Sequence, residues 1–163
     1  MLYAGTAKPI PRREWQEGSL DLPVSSLTEE EAPVRARFSS PEVQNVGSTS
    51  GCGCDFPTLQ WMHDGGWAPL EFSAPEARAE FEATARRNMG ALVDLLGTTG
   101  EKAVELYCIW HGGGRAFSAS PAAHEDMALE SLLDPDFHFK EFGFYWVSLQ
   151  TKAEGGSELE KCS

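Results

Sequence analysis

Four side chains in this sequence could hold a soft metal ion or attack an electrophile: the thiols of Cys52 and Cys54 and the imidazoles of His63 and His111. Cys52 and Cys54 stand one residue apart in GSTSGCGCDF, residues Gly47 to Phe56. Gly47, Gly51 and Gly53 let that backbone turn tightly and come close to a ligand. Thiolate sulfur and imidazole nitrogen are the donors zinc prefers, four in a tetrahedron, so these residues make a candidate metal set. The spacing argues less strongly. Structural zinc sites favour cysteines separated by two to four residues, and no second pair follows this tighter one.

Two other readings of the cysteines stand beside the metal. A C-x-C pair could close a strained, readily reduced disulfide. No Lys or Arg adjoins Cys52 to lower a thiol pKa, and Asp55 would raise it. Cysteine is also among the most buried residue types, so both thiols could turn inward beneath the glycine turn as packing groups. Cys108 falls on the core side of its segment and reads as inert. Cys162 falls in the tail and reads as incidental. Lone histidines such as His63, His124 and His138 are more often hydrogen-bonded or surface residues than ligands.

His111 opens HGGG, residues His111 to Gly114, which resembles the oxyanion-hole segment of some lipases and esterases. The nucleophile motif G-x-S-x-G is missing, and GSTSG puts Thr49 in the nucleophile place. The same GSTSG lacks the Gly-Lys-Ser/Thr ending of a phosphate-binding loop. HEDMA, from His124, lacks the second histidine of a zinc-protease helix. The acids Glu125, Asp126, Glu130, Asp134 and Asp136 lack the order of a calcium loop and read as a solvated helix face. No catalytic residue is assigned on this basis. The candidate ligand-binding residues are Cys52, Cys54 and His111 with the glycines Gly51, Gly53 and Gly112; Asp64 lies close by. The candidate metal ligands are Cys52, Cys54, His63 and His111, and zinc is the ion they would take.

Those residues must be positioned by the elements around them. Met1–Ala4 reads as a short strand. Thr28 and Glu31 have capping-box spacing for a short helix, which Pro33 would kink or restart. EVQNV, from Glu42, reads as a strand that leads into the cysteine loop. The segment from Pro57 to Phe72 suggests a short strand or a hairpin. Ser73 and Glu76 form a second capping box, with Pro75 in the first turn. The helix after it repeats Ala77, Phe81, Ala85, Met89, Leu92 and Leu96 on one face and stops at Gly97. KAVELYCIW, from Lys102, is the clearest strand, with Val104, Leu106, Cys108 and Trp110 on one face and Ala103, Glu105, Tyr107 and Ile109 on the other. HGGGRAFSAS reads as a loop. Ser120 and Pro121 open a further helix to about Leu133, and FKEFGFYWVSL is a last strand.

This order predicts one α/β domain over residues 1–150, followed by a flexible tail over 151–163. The sheet is expected to be mixed or mostly parallel, with about four to five strands and about three helices. If the strands before the two glycine loops run the same way, both loops leave one edge of the sheet, where ligands of open α/β folds bind.

The whole chain has 163 residues, 25 acids against 13 bases and a formal charge of −12. That balance disfavours nucleic acid and anionic membranes as partners and favours solubility or a basic partner. No apolar run approaches the ~20 residues of a membrane span, and the first residues lack the pattern of a secretory signal. The expected setting is therefore the cytoplasm, where thiols stay reduced. Two functions follow as expectations. One is thiol-based binding of a metal or small ligand at the cysteine loop. The alternative is a non-enzymatic acidic module that engages a protein partner through aromatics such as Trp61 and Trp67, with the cysteines structural.

The run EVQNVGSTSGCGCDF resembles a motif of small bacterial proteins in which an apolar strand enters G-S-x-x-G-C-G-C and then Phe. LYAGTAKPIP near the start and VELYCIW after the long helix extend the likeness over most of residues 1–110. Asp55 stands where that motif carries a further glycine. The resemblance implies a cytosolic bacterial protein and transfers no catalytic residue.

Overall fold

A strand buried on both faces needs apolar residues at nearly every position, and the centre of this chain supplies them. A computed structural model describes residues 1–51, 55–61, 67–69, 75–109 and 114–150. The strands are β1 (Leu2–Thr6), β2 (Val24–Ser26), β3 (Glu42–Val46), β4 (Thr58–Trp61), β5 (Trp67–Pro69), β6 (Ala103–Cys108), β7 (Ala123–Ala128), β8 (Phe139–Lys140) and β9 (Gly143–Ser148). One long helix, α1, spans Pro75–Gly97, and short 3₁₀ helices cover Ala32–Arg37, Gly114–Ser118 and Leu129–Leu133.

The fold is α/β, with a mixed six-stranded sheet in the order β2-β3-β1-β6-β9-β7. Four of its neighbour pairs are antiparallel, and β7 runs parallel to β9. A second sheet, β5-β4-β8, holds the hairpin of β4 and β5. The sheet is thus mixed rather than mostly parallel. The described residues carry more strands and fewer helices than the sequence pattern predicts.

The largest departure is at Ser120–Leu133. The expected helix there is strand β7 followed by the 3₁₀ helix Leu129–Leu133. Ala123, Glu125 and Met127 turn half inward, while His124, Asp126 and Ala128 are exposed. Good helix formers have been recruited to a strand because β9 offers an open edge, and pairing outweighs a weak local preference. Lys140 Nζ meets Glu125 Oε1 at 2.5 Å and fixes the strand further. The HGGGRAFSAS segment also departs from a plain loop, since Gly114–Ser118 is a 3₁₀ helix.

Register assigns the two faces. Leu2 and Ala4 on β1, Val104, Leu106 and Cys108 on β6, and Tyr145 and Val147 on β9 share one face. Met89, Leu92, Leu95 and Leu96 of α1 pack on that face, and Ala85 is buried one turn earlier. Ala77, at the start of the predicted stripe, is exposed, so packing begins only at the second turn and beyond. The helix ends at Gly97, where the Thr98 and Thr99 hydroxyls donate to the carbonyls of Leu95 and Leu96, both at 2.7 Å.

Tyr3, Val43, Tyr107 and Phe144 form the opposite face, covered by Val34, Phe38 and Phe117. Here Gly5 is required by close approach. A Cβ at Gly5 would lie 2.4 Å from Phe38 Cδ1 and 3.0 Å from Glu105 Oε2. The predicted capping box exists. Thr28 N donates to Glu31 Oε2 at 2.8 Å and Glu31 N donates to Thr28 Oγ1 at 3.3 Å. These bonds close the turn at 28–31 that precedes the 3₁₀ helix Ala32–Arg37, whose N-cap is Glu31 and which has Pro33 near its start.

Candidate functional site

Strands β3 and β6 are each antiparallel to β1, so they run in the same direction on either side of it. Val46 and Cys108, their last residues, both sit opposite Leu2. The two glycine-bearing segments therefore leave one edge of the sheet about 10 Å apart, two strand spacings. An antiparallel strand separates them, so the crevice is not the switch point of a parallel sheet. Their described flanks then diverge. Phe56, beyond the first loop, packs on the α1 face, whereas Phe117, beyond the second, packs on the opposite face.

Gly51 is the one predicted ligand-binding residue among those described. Cys52, Gly53, Cys54, His63, His111 and Gly112 lie outside the described residues, as do the side chains of Trp61 and Trp67. What the structure does give is the stem on which the first loop stands. Ser48–Gly51 is a tight turn, with Gly51 N donating to Ser48 O at 2.9 Å. Gly51 has φ +90°, a conformation open to glycine, and its Cα faces the Trp15 indole so closely that a Cβ would lie 3.0 Å from the ring. Trp15 Nε1 donates to Thr49 O at 2.9 Å and lies over the turn as a lid.

The stem is tied to α1 by one side chain. Asn88 is fully buried. Its Oδ1 accepts from Thr49 N at 3.1 Å and from Thr49 Oγ1 at 2.9 Å, and its Nδ2 donates to Asp55 O at 2.9 Å. One amide thus fastens the residues on both sides of Cys52–Cys54. Asp55 closes the stem from within. Its Oδ2 accepts from Ser48 Oγ at 3.1 Å and, more closely, from Ser50 Oγ. A buried amide such as Asn88 is kept only where hydrogen bonds satisfy it, and here its bonds also fix the loop.

The sequence reading missed Trp15 and Asn88 and took Asp55 only as a neighbour that raises a thiol pKa. One signal was available. Asn88 interrupts the buried stripe of Ala85, Met89 and Leu92, and an asparagine inside a helix core wants a partner outside the helix. Cys108 is the free cysteine among the described residues. It is 4% exposed, and burial pushes its thiol up to about 11, so it stays protonated and unreactive. His124 is exposed with its ring centroid 5.5 Å from that of Phe144, and His138 Nδ1 lies 2.9 Å from Asp136 O. No group of three metal-binding side chains occurs among the described residues, the acids from Glu125 to Asp136 included. No described helix is long and apolar enough to cross a membrane. Compared with protein-family models, curated proteins and solved structures, the chain matches none.

Proposed function

We propose that the chain is a thiol-bearing binding protein in which Cys52 and Cys54 present a pair of sulfurs to a zinc ion or a small thiol-reactive ligand. The observation that carries this reading is the stem. A loop that needed only to connect β3 to β4 would not require a buried asparagine, an aspartate and an indole on the eight residues 48–55. Rigid support of this kind lowers the entropy lost when a ligand is held. In the sequence His111 follows the end of β6 by three residues and His63 falls between β4 and β5, so either imidazole could complete the set. A cytoplasmic setting, which keeps both thiols reduced, belongs to the same proposal, as does the bacterial kinship drawn from the G-S-x-x-G-C-G-C run.

Elemental analysis of the reduced protein tests it. One equivalent of zinc is expected, lost in the Cys52→Ser/Cys54→Ser variant and weakened about tenfold in Asn88→Ala, which removes support but no ligand. Rapid thiol labelling without metal would favour the small-ligand form. No metal, with thiols that label only after denaturation, would overturn both. His63→Ala and His111→Ala, made separately, tell which imidazole contributes.

One observation favours a second reading, an acidic module for a basic protein partner. Trp146 is 45% exposed on the face opposite α1, next to Asp126 across the strand pair, in a chain of charge −12. Loss of a pulled-down basic partner on Trp146→Ala, with the cysteine variant unaffected, is the result that reading expects.

A further inference from the structure

A groove of about 530 Å³ lies between the Arg13–Leu22 segment, Thr49 and the second half of α1. That size suits a small ligand. Its floor exists because the helix carries almost no side chain there. Gly90 and Ala91 face the groove, and a Cβ placed on Gly90 would meet no atom within 4 Å. Leu20, 73% exposed, stands over this floor. Its side chain gives the groove an apolar wall.

The charges around the floor say what kind. Arg13 and Asp21 face each other at 3.6 Å and largely cancel. Arg87 and Asp94 remain, also lining the groove, on either side of Gly90 and Ala91. Seven residues of helix separate them by about 10 Å along the axis. Arg87 donates from Nη2 to Thr84 Oγ1 at 2.9 Å and has further N–H groups to give. The Asp94 carboxylate makes no hydrogen bond or ion pair among the described residues. It is also misplaced for the helix itself. It sits in the last turn of α1, where the macrodipole disfavours an acid, and that turn holds no base to offset it. A bound ammonium would.

We infer that this groove binds a short peptide of about three residues, its carboxylate on Arg87, its ammonium on Asp94 and an apolar middle side chain over Gly90 and Ala91. An extended tripeptide spans about 10 Å, the axial rise of the helix from Arg87 to Asp94. A simple organic anion would leave Asp94 unused, and a simple cation would leave Arg87 unused. Thr49 places the groove against the stem of the cysteine loop. The inference goes beyond the thiol reading and stands without it.

The test titrates the full chain with the tripeptide Gly-Leu-Gly, followed by amide chemical shifts. Saturable shifts at millimolar peptide, confined to residues 87–98 and to residues 13–22 and 49, are expected. N-acetylation or C-amidation of the peptide should each weaken binding several-fold, up to about tenfold. Asp94→Asn and Arg87→Gln should do the same, with Asp94→Asn leaving Tm unchanged or raised, as relief of a dipole conflict requires. Gly90→Leu fills the floor with a better helix former, so it should abolish binding while the fold holds. The Cys52→Ser/Cys54→Ser variant should bind the peptide unchanged, which separates this outcome from the fate of the thiol proposal. Absence of shifts at millimolar peptide would overturn the inference, as would equal binding of the doubly blocked peptide or retained binding in Gly90→Leu.

Discussion

The two faces of the six-stranded sheet are buried with different chemistry. Under α1 lie hydrocarbon side chains, and the buried polar groups there are uncharged amides and hydroxyls, among them Thr6 and Tyr145. Gln44 Nε2 donates to Ile10 O at 2.9 Å and its Oε1 accepts from Ile10 N at 2.7 Å, while Asn88 ties the loop stem. The opposite face admits two carboxylates. Glu31 accepts from Tyr3 Oη at 3.0 Å and Asn45 Nδ2 at 3.1 Å, and Glu105 accepts from Ser39 N, Ser39 Oγ and Ser40 N at 3.0, 2.6 and 2.8 Å. Among the described residues neither acid has a basic partner in an ion pair. Each instead fixes a connecting segment, 28–31 or 39–40, to the sheet. The comparison teaches a division of labour. One face supplies most of the burial energy and is indifferent to pH. The other sets the path of the chain and depends on charge.

The largest expected effect lies on the α1 face. Leu92 is fully buried in the hydrocarbon cluster. Leu92→Ala should cost about 2–5 kcal/mol, from lost transfer energy and the cavity left behind. Urea unfolding measures it, and the loss should be the same at pH 7 and pH 5. A pH-dependent loss would blur the distinction between the faces.

Glu105→Gln comes next. The amide keeps the shape of the side chain but replaces one acceptor oxygen with a donor that would face Ser39 or Ser40 N–H groups. About 2 kcal/mol should be lost, the scale of a hydrogen bond to a charged group plus an unsatisfied buried donor. The loss should shrink on acidification, because the native carboxylate is then being protonated too. A constant penalty across pH would mean the charge itself carries nothing.

Acid alone should separate the faces. Burial pushes the Glu105 carboxyl up, but the hydrogen bonds from Ser39 and Ser40 together outweigh it and hold the group below its ordinary value near 4.5. A carboxyl depressed in the fold contributes stability that is complete above the unfolded value. That contribution fades as pH falls below about 4.5 and is gone beneath the folded value. Hydrogen exchange between pH 5 and pH 3, corrected for intrinsic rates, should lose protection first at the Ser39 and Ser40 amides and last in α1 from Ala85 to Leu96. Protection lost uniformly would show that acid acts through net charge rather than through this carboxylate.

How much of this could be read in advance follows the same division. β1, β3, β6 and α1 were legible because apolar spacing is a local signal and their flanks carry turn residues. The Thr28–Glu31 box was legible too, down to its reciprocal hydrogen bonds. Glu105 was placed on the right side of its strand, yet nothing local says that Ser39 and Ser40, 65 residues or more away, arrive to bury it. β7 was read as a helix because its strand state is imposed by β9 and by Lys140, not by its own residues. At the candidate site the glycine turn was evident, and the shared sheet edge followed once β3 and β6 were read as strands. Its braces were not, since Trp15 and Asn88 reach it from more than 30 residues on either side.

The smallest effect should carry the opposite sign. Thr58, two residues after Phe56 and paired with Phe139, is 5% exposed, and its Oγ1 has no hydrogen-bond partner among the described residues. Phe56 and Phe139 belong to the hydrocarbon cluster under α1, so this hydroxyl is a polar group on the side that otherwise satisfies or excludes them. Removing an unsatisfied buried donor while keeping the branched shape removes a desolvation cost and loses no bond. Thr58→Val should therefore stabilise by about 1 kcal/mol, against a loss of similar size for Ser39→Ala at the Glu105 carboxylate. Chemical denaturation of the two variants side by side gives the comparison its finest edge. If valine at 58 destabilises instead, the hydroxyl serves a partner, and the α1 side is less purely a hydrocarbon surface than its packing indicates.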